Sequence, residues 1–337
     1  MIEKKLLTKA SLDNLVSKLL DEGKKIFAPV RKDKQVNFEI ISSLKDMADD
    51  YILTVQSAKF VVFPKVEKLF DYETTKDGVK VKDIDIHTIP ELVLLGIRPC
   101  DSVAFGTLNS VFTWDYKDNI FVTRLKKTLI ISISCKKSDE YCFCSSIGIS
   151  SGDTKGSDIL LTEIDNSHYL AEIISEKGKE IVSKYPDLFE TAPDTEKEKL
   201  IANVPECFNL KEISRNLGEF FQSDIWLEQS LRCLGCGACA FVCPTCACFD
   251  IQDECRGKSG TRLRCWDSCG FSLFTQHTSG HNPREVQSQR WRQRIMHKFS
   301  YMPDRLNVTG CVGCGRCSRA CPVDMNILEH IIKLAEV

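Results

Sequence analysis

Two cysteine runs near the carboxyl end of the chain share one spacing, C-x2-C-x2-C-x3-C-P. This is the run that ligates [4Fe–4S] clusters in bacterial ferredoxins, where the fourth cysteine of each run reaches the other cluster. A structural zinc site instead joins two separated cysteine pairs, and a third cysteine at the same interval has no role there. We therefore predict two clusters, one held by Cys233, Cys236, Cys239 and Cys321 and the other by Cys311, Cys314, Cys317 and Cys243.

Two glycines lie between the first three cysteines of each run, Gly235 and Gly237 in the first and Gly313 and Gly315 in the second. Glycine permits positive φ and lets the backbone approach closely. The runs can therefore wrap a cluster and direct N–H groups at its sulfur atoms, which offsets part of the negative charge and tunes the reduction potential.

Four more cysteines lie in the N-terminal half. The apolar segments 91–97 and 128–133 are typical of strands buried on both faces, and Cys100 and Cys135 follow them. If the strands are parallel neighbours, both cysteines lie at the carboxyl edge, where open α/β sheets bind ligands. Our hypothesis is a third [4Fe–4S] cluster held by Cys100, Cys135, Cys142 and Cys144. The alternative is a crevice lined by unliganded cysteines.

The remaining cysteines follow no recognisable spacing. Five lie in the insertion of 68 positions between Cys243 and Cys311, namely Cys246, Cys248, Cys255, Cys265 and Cys269. They are interpreted as thiols buried near the clusters, with another metal site as the alternative. Cys207 stands alone and receives no role.

Composition points to a folded chain without catalytic apparatus of its own. The 337 residues include 18 cysteines, and 45 basic residues balance 47 acidic ones, so overall charge does not indicate nucleic-acid binding. There is no G-x-G-x-x-G, G-x4-G-K-[ST] or H-E-x-x-H motif, and no nucleophile is paired with a base. His277, His281 and His297 are expected in surface or supporting roles. Several one-electron centres without a substrate site predict an electron conductor.

The cysteines and charges divide the chain. We predict an α/β domain over residues 1–205, a linker over 206–230, and a mainly α-helical, ferredoxin-type domain over 231–337 with a long insertion between the cluster runs. A helix over residues 284–299 carries a basic face, interpreted either as solvated or as a docking surface for an acidic partner. No export signal or membrane-spanning run is found, so a cytoplasmic location is expected, where disulfides are rare.

Motifs along most of the chain resemble the iron–sulfur electron-transfer subunit of anaerobic sulfite reductase and the β subunit of soluble sulfhydrogenases. The matching stretches are residues 58–64, Gly96-Ile-Arg-Pro-Cys-Asp101, Cys135 with Cys142-Phe-Cys144, 243–249, Trp266-Asp-Ser-Cys269, Gly280-His281, 292–299 and the second cluster run.

The resemblance implies an electron-transfer protein that works inside a soluble complex. It takes electrons from an NAD(P)H-oxidising flavin subunit and passes them to a terminal catalytic subunit. That catalytic partner carries sirohaem in the sulfite reductase, the favoured expectation, and nickel and iron in the sulfhydrogenase, the first alternative. A second alternative is an iron–sulfur redox sensor. Neither nucleic acid nor membrane is expected as a partner.

Overall fold

The computed structural model describes residues 2–336. Its strands are β1 Glu3–Thr8, β2 Lys25–Lys32, β3 Gln35–Ile41, β4 Val66–Thr75, β5 Gly78–Asp83, β6 Leu92–Ile97, β7 Thr128–Ile133, β8 Ile159–Glu163, β9 His168–Ile173, β10 Glu190–Thr191, β11 Phe249–Arg256 and β12 Ser259–Trp266. Its helices are α1 Lys9–Asp21, α2 Lys59–Val62, α3 Pro99–Phe112, α4 Asn119–Lys126, α5 Glu176–Lys184, α6 Leu210–Asn216, α7 Ile225–Ser230, α8 Ala238–Phe241, α9 Gln287–Met296, α10 Met302–Leu306, α11 Arg316–Arg319 and α12 Ile327–Ala335.

The larger sheet has the order β10-β1-β9-β8-β7-β6-β2-β3 over the described residues. Its central strands β2, β6, β7 and β8 pair in parallel, and the outer pairs are antiparallel. The strands predicted over 91–97 and 128–133 are β6 and β7, and they are parallel neighbours. Their carboxyl ends therefore lie at one edge, and the mixed α/β architecture expected from the sequence is confirmed.

Helices cover both faces of this sheet because each presents an apolar stripe. Helix α1 buries Leu12, Leu15 and Leu19 on one face, in contact with residues of β2, β6 and β7. Helices α3 and α4 cover the other with Phe105, Leu108 and Phe121. The N-cap of α1 is Thr8, whose hydroxyl accepts a hydrogen bond from the Ser11 amide at 2.9 Å.

A second sheet corrects the expectation of little strand in the C-terminal part. The insertion between the cluster runs forms the hairpin β11–β12, which turns at Gly257 with φ +62°. Strand β12 pairs with β4 of the N-terminal part, giving the order β11-β12-β4-β5. The hairpin is rich in charged residues and lacks a regular apolar alternation, so its sequence does not indicate strands. Pairing with β4 stabilises the strand conformation instead.

The apolar run Phe60–Phe63 forms no strand, because Phe60–Val62 lie in the single helical turn α2 and Phe63 is its C-cap. Its Lys59 is buried, and its ammonium donates to the carbonyl oxygens of Cys246 (2.8 Å) and Ala240 (3.3 Å). The indole of Trp266 donates to the Phe63 carbonyl at 3.1 Å. Tertiary contact thus overrides local β propensity, and residues 58–64 attach the N-terminal part to the insertion.

Residues 206–230, the expected linker, contain α6 and α7. Ile213, Leu217 and Trp226 from this segment are buried in one core together with residues of α9 and α12. The domain boundaries themselves stay a prediction. Every helix within residues 2–336 is too short or too polar to span a lipid bilayer.

Candidate cluster-binding site

The predicted ligand sets surround three cavities. The outer cavity is lined by Cys233, Cys236, Cys239 and Cys321. The middle cavity is lined by Cys243, Cys311, Cys314 and Cys317. The N-terminal cavity is lined by Cys100, Cys135, Cys142 and Cys144. Each cavity therefore gathers one of the three sets of four, including the exchange of the fourth cysteine between the two C-terminal runs. Ligation by these residues stays a prediction.

The outer cavity is built from the first run and opens towards solvent. Gly235 and Gly237 adopt φ of +65° and +74°, and Gly237 leads directly into α8. Cys236 is exposed, whereas the other eleven predicted ligands are half-buried or buried. The Gln287 side chain of α9 donates a hydrogen bond to the Cys233 sulfur at 3.1 Å. One edge of this cavity is thus accessible from outside the chain.

The middle cavity is enclosed by the second run and by the segment after α9. Gly313 and Gly315 adopt φ of +62° and +69°, and their Cα atoms lie against the backbone of Cys144 and Tyr141. The Gly313 amide donates to the Cys311 sulfur at 3.4 Å. Lys298, 4% exposed, directs its ammonium at the Cys243 sulfur (3.3 Å) and at the Gly310 carbonyl (2.6 Å).

The N-terminal cavity lies at the carboxyl ends of β6 and β7. Cys100 is in the first turn of α3, and Cys135 follows β7. Arg98 connects the segment before Cys100 to the segment before Cys135, since its guanidinium donates to the Ser134 carbonyl at 2.8 Å. It also donates to the Ile52 carbonyl at 3.1 Å. These contacts give a structural reason for the Arg-Pro-Cys-Asp motif.

The loop with Cys142 and Cys144 is held by the second cluster run. The Phe143 amide donates to the Gly313 carbonyl at 2.9 Å, and Arg319 forms an ion pair with Asp139 while contacting the Cys142 sulfur at 3.4 Å. A buried ion pair between Arg316 and Asp101, each 2% exposed, lies beside them at 2.6 Å. The four cysteines of this cavity therefore come together only because the two parts of the chain dock.

Burial opposes free thiolates in these cavities. It raises the pKa of Cys144 and Cys314 to about 12 and that of Cys239 and Cys311 to about 11. Cys243 differs, because a hydrogen bond from Cys246, with Lys298 nearby, holds its pKa below the usual range. Burial lowers the pKa of Lys298, but the nearby Cys243 and Cys246 sulfurs raise it by more, so Lys298 stays an ammonium ion. Coordination to iron deprotonates a thiol outright and removes this cost.

The donor sets fit iron–sulfur clusters. Soft thiolates are the ligands such clusters use. Over residues 2–336, no three or more Cys, His, Asp and Glu side chains converge as the ligands of one metal ion do. The Arg294 Nε atom is buried without a hydrogen-bond partner, and this side chain lines both the outer and the middle cavity. An anionic group beside it would satisfy that donor.

The three cavities lie in a row and share their walls. Cys317 and Arg294 line both the outer and the middle cavity. Cys314 lines both the middle and the N-terminal cavity. The middle cavity therefore stands between the other two. Electron transfer falls steeply with distance, so adjacent cavities with common walls can form a continuous path.

Two basic residues without a role assigned from the sequence lie on α9 and on the turn that follows it. The structure buries Arg294 and Lys298 of the expected basic helix, which face the cavities rather than solvent or an acidic partner. Together with Gln287 they are spaced by seven and four residues, the helical spacing of one face. That spacing is visible in the sequence, but the sequence does not show that this face packs against the cavities.

The remaining cysteines and the histidines differ in how close they lie to the cavities and in how exposed they are. Cys269 lines the outer cavity, and Cys246 receives a contact from Arg294 at 3.6 Å. Cys248 is half-buried, while Cys255 and Cys265 lie on the β11–β12 hairpin, where Cys255 is exposed. Cys207 is half-buried, and its amide donates to the Ser146 hydroxyl. His277, His281 and His297 are exposed.

Comparison with known proteins supports the same chemistry. A 4Fe-4S dicluster domain matches residues 232–325. Sulfhydrogenase 2 subunit beta of Pyrococcus furiosus is 32% identical over 327 residues, which covers 94% of this chain and 93% of the relative. No solved structure matches significantly. The sulfite reductase expectation is not confirmed, and the sulfhydrogenase alternative fits better. The chain belongs to the family of sulfhydrogenase β subunits, as an iron–sulfur electron-transfer subunit.

Proposed function

We propose that this chain holds three [4Fe–4S] clusters and relays electrons between an NAD(P)H-oxidising flavin subunit and a nickel–iron hydrogenase subunit. The ligand sets are the cysteines of the outer, middle and N-terminal cavities. The observation that carries the proposal is the row of three cavities, each with one predicted set of four cysteines among the residues that line it. A [4Fe–4S] cluster supplies a one-electron carrier at each position.

The two ends of the row differ in a way that suits a relay inside a complex. At the outer cavity, the exposed Cys236 lets a cofactor of another subunit approach closely. At the N-terminal cavity, Cys135 and Cys142 are half-buried, while Cys100 and Cys144 are buried. A relay needs an entry and an exit, so electron exchange with one partner is expected at the outer cavity and with the other at the N-terminal cavity, while the middle cavity stands between them.

Partner identity rests on the relative. The Pyrococcus furiosus protein is named as a sulfhydrogenase subunit, which implies partner subunits in that protein. A place in a sulfite reductase complex remains the alternative that the motif resemblance allows. The redox-sensor alternative needs a basic face available to a regulator or nucleic acid, and two basic residues of the helix predicted over 284–299, Arg294 and Lys298, are buried.

Anaerobic purification of the native complex tests the proposal. About 12 iron atoms in each copy of this chain are expected for three clusters, and about 8 would remove the N-terminal cluster. Copurified nickel supports the hydrogenase complex, whereas sirohaem would assign the chain to a sulfite reductase. Zinc in place of iron, with no absorption from iron–sulfur groups, would refute the relay altogether.

A further inference from the structure

Helix α9 presents different chemistry to the outer and the middle cavity. At its start, Gln287 gives a neutral amide donor to Cys233 at 3.1 Å. Seven residues later, Arg294 lies between the two cavities, and its Nη2 atom donates to the Cys239 carbonyl at 3.0 Å. Four residues beyond that, the Lys298 ammonium contacts Cys243 at 3.3 Å. Positive charge along this face therefore increases from the outer cavity towards the middle one.

The buried cations near the cavities differ in their partners. Arg316 is paired with Asp101 and Arg319 with Asp139, whereas Arg98, beside the N-terminal cavity, donates to neutral carbonyl oxygens. Arg294 and Lys298 direct their hydrogen bonds to sulfur and to neutral oxygen atoms. Both side chains are 4% exposed, so solvent screens their charge little.

We propose that Arg294 and Lys298 are positioning residues that raise the reduction potential at the middle cavity above the potential at the outer cavity. Adding an electron makes the bound group more negative, and an uncompensated cation nearby stabilises that reduced form. Of these two positions, the middle one is then reduced first, because it is lined by Lys298 as well as Arg294, whereas the outer one is lined by Arg294 without Lys298. This inference rests on the proposed presence of clusters in the three cavities.

The local backbone supports a role in placing Lys298. A five-residue π-helical turn, His297–Tyr301, follows α9, and such turns often occur at functional sites. The Gly310 amide donates to the Lys298 carbonyl at 2.8 Å. A β-carbon at Gly310 would come within 2.8 Å of the Lys298 Cα. The glycine just before the second cluster run thus permits the close approach that brings the ammonium to Cys243.

The test is an EPR-monitored redox titration of the anaerobically purified full-length chain, in the wild type and in two variants. Lys298→Gln removes the charge while keeping an N–H donor for the Gly310 carbonyl. We expect it to lower one midpoint potential by at least a tenfold change in the reduction equilibrium, which is about 59 mV for one electron. Arg292→Gln is the matched control, because Arg292 lies on the same helix but donates to the Phe221 carbonyl at 2.8 Å.

Conservative variants separate charge from structure. Lys298→Arg is expected to keep the wild-type potential, and Arg294→Gln to lower the potentials of the two C-terminal clusters. Unchanged potentials in iron-replete Lys298→Gln, or an equal shift in Arg292→Gln, would overturn the proposal. So would loss of iron in Lys298→Gln with retention in Lys298→Arg, because the charge would then serve cluster retention. Absence of iron from the wild type would instead refute the proposed function.

Discussion

The predicted ligand sets of the C-terminal and N-terminal cavities are brought together by different routes. In the C-terminal pair, each predicted set takes three cysteines from one short run and a fourth from the other. In the N-terminal cavity, the cysteines come from the start of α3, the end of β7 and a loop that contacts the second run. A local loop organises the first kind of site, whereas the second depends on long-range packing. The N-terminal site should therefore be the more easily lost.

Part of the junction between the two regions is a buried polar network. Arg316 of the second run donates to Asp101 and to the Thr54 carbonyl (3.0 Å), and Arg319 pairs with Asp139. Breaking a buried ion pair by removing one partner leaves an uncompensated charge. Damage at this junction is thus expected to spread into the N-terminal cavity and to spare the outer cavity.

The largest expected effect follows replacement of Cys314, which lines both the middle and the N-terminal cavity. Cys314→Ser should abolish NAD(P)H-driven turnover of the complex, because the path is interrupted at its centre, while dye reduction by the isolated partner subunits is unchanged. Steady-state assays with both electron donors measure this. Cys255→Ser is the matched control on the exposed hairpin, and normal turnover in Cys314→Ser would contradict the row of cavities as the electron path.

A smaller effect is expected from Arg316→Met, which leaves the Asp101 carboxylate buried without its partner. We expect a loss of about 3–5 kcal/mol in the free energy of unfolding. Iron should also be lost from the N-terminal cavity first. Anaerobic urea unfolding and iron content measure the two results. Arg262→Met breaks an exposed ion pair with Asp253 and should change neither. Equal iron loss from all three cavities would contradict the expectation that the N-terminal site depends more on long-range packing than the C-terminal pair.

The smallest effect distinguishes a strained backbone from a close contact. Gly313 and Gly257 share φ of +62°, but a β-carbon at Gly313 would lie 2.5 Å from the Cys144 amide nitrogen, while Gly257 has open space. Gly313→Ala should therefore destabilise the chain by about 1–3 kcal/mol more than Gly257→Ala. Urea midpoints of the two variants measure the difference. Equal midpoints would show that the contact between the second run and the cysteine loop is not tight.

Much of the fold followed from local pattern, and the exceptions have physical causes. Strands β6 and β7 were predictable because buried parallel strands are continuous apolar runs. The helical turn α2 is not indicated by the sequence, because Phe60–Phe63 has strong β propensity and the residues of the insertion that it contacts lie far away in the chain. The hairpin β11–β12 was missed because its mixed charged sequence carries no alternation and pairs with a strand about 190 residues earlier.

The sequence by itself determined the chemistry of the C-terminal runs, because three cysteines at intervals of three residues are held by one loop and need no distant partner. Only the tertiary structure decided that the cavities stand in a row and that Arg294 and Lys298 face them. It also decided that the second run closes the N-terminal cavity. These features depend on docking between segments far apart in the chain, where a buried ion pair and close glycine contacts have no local signature.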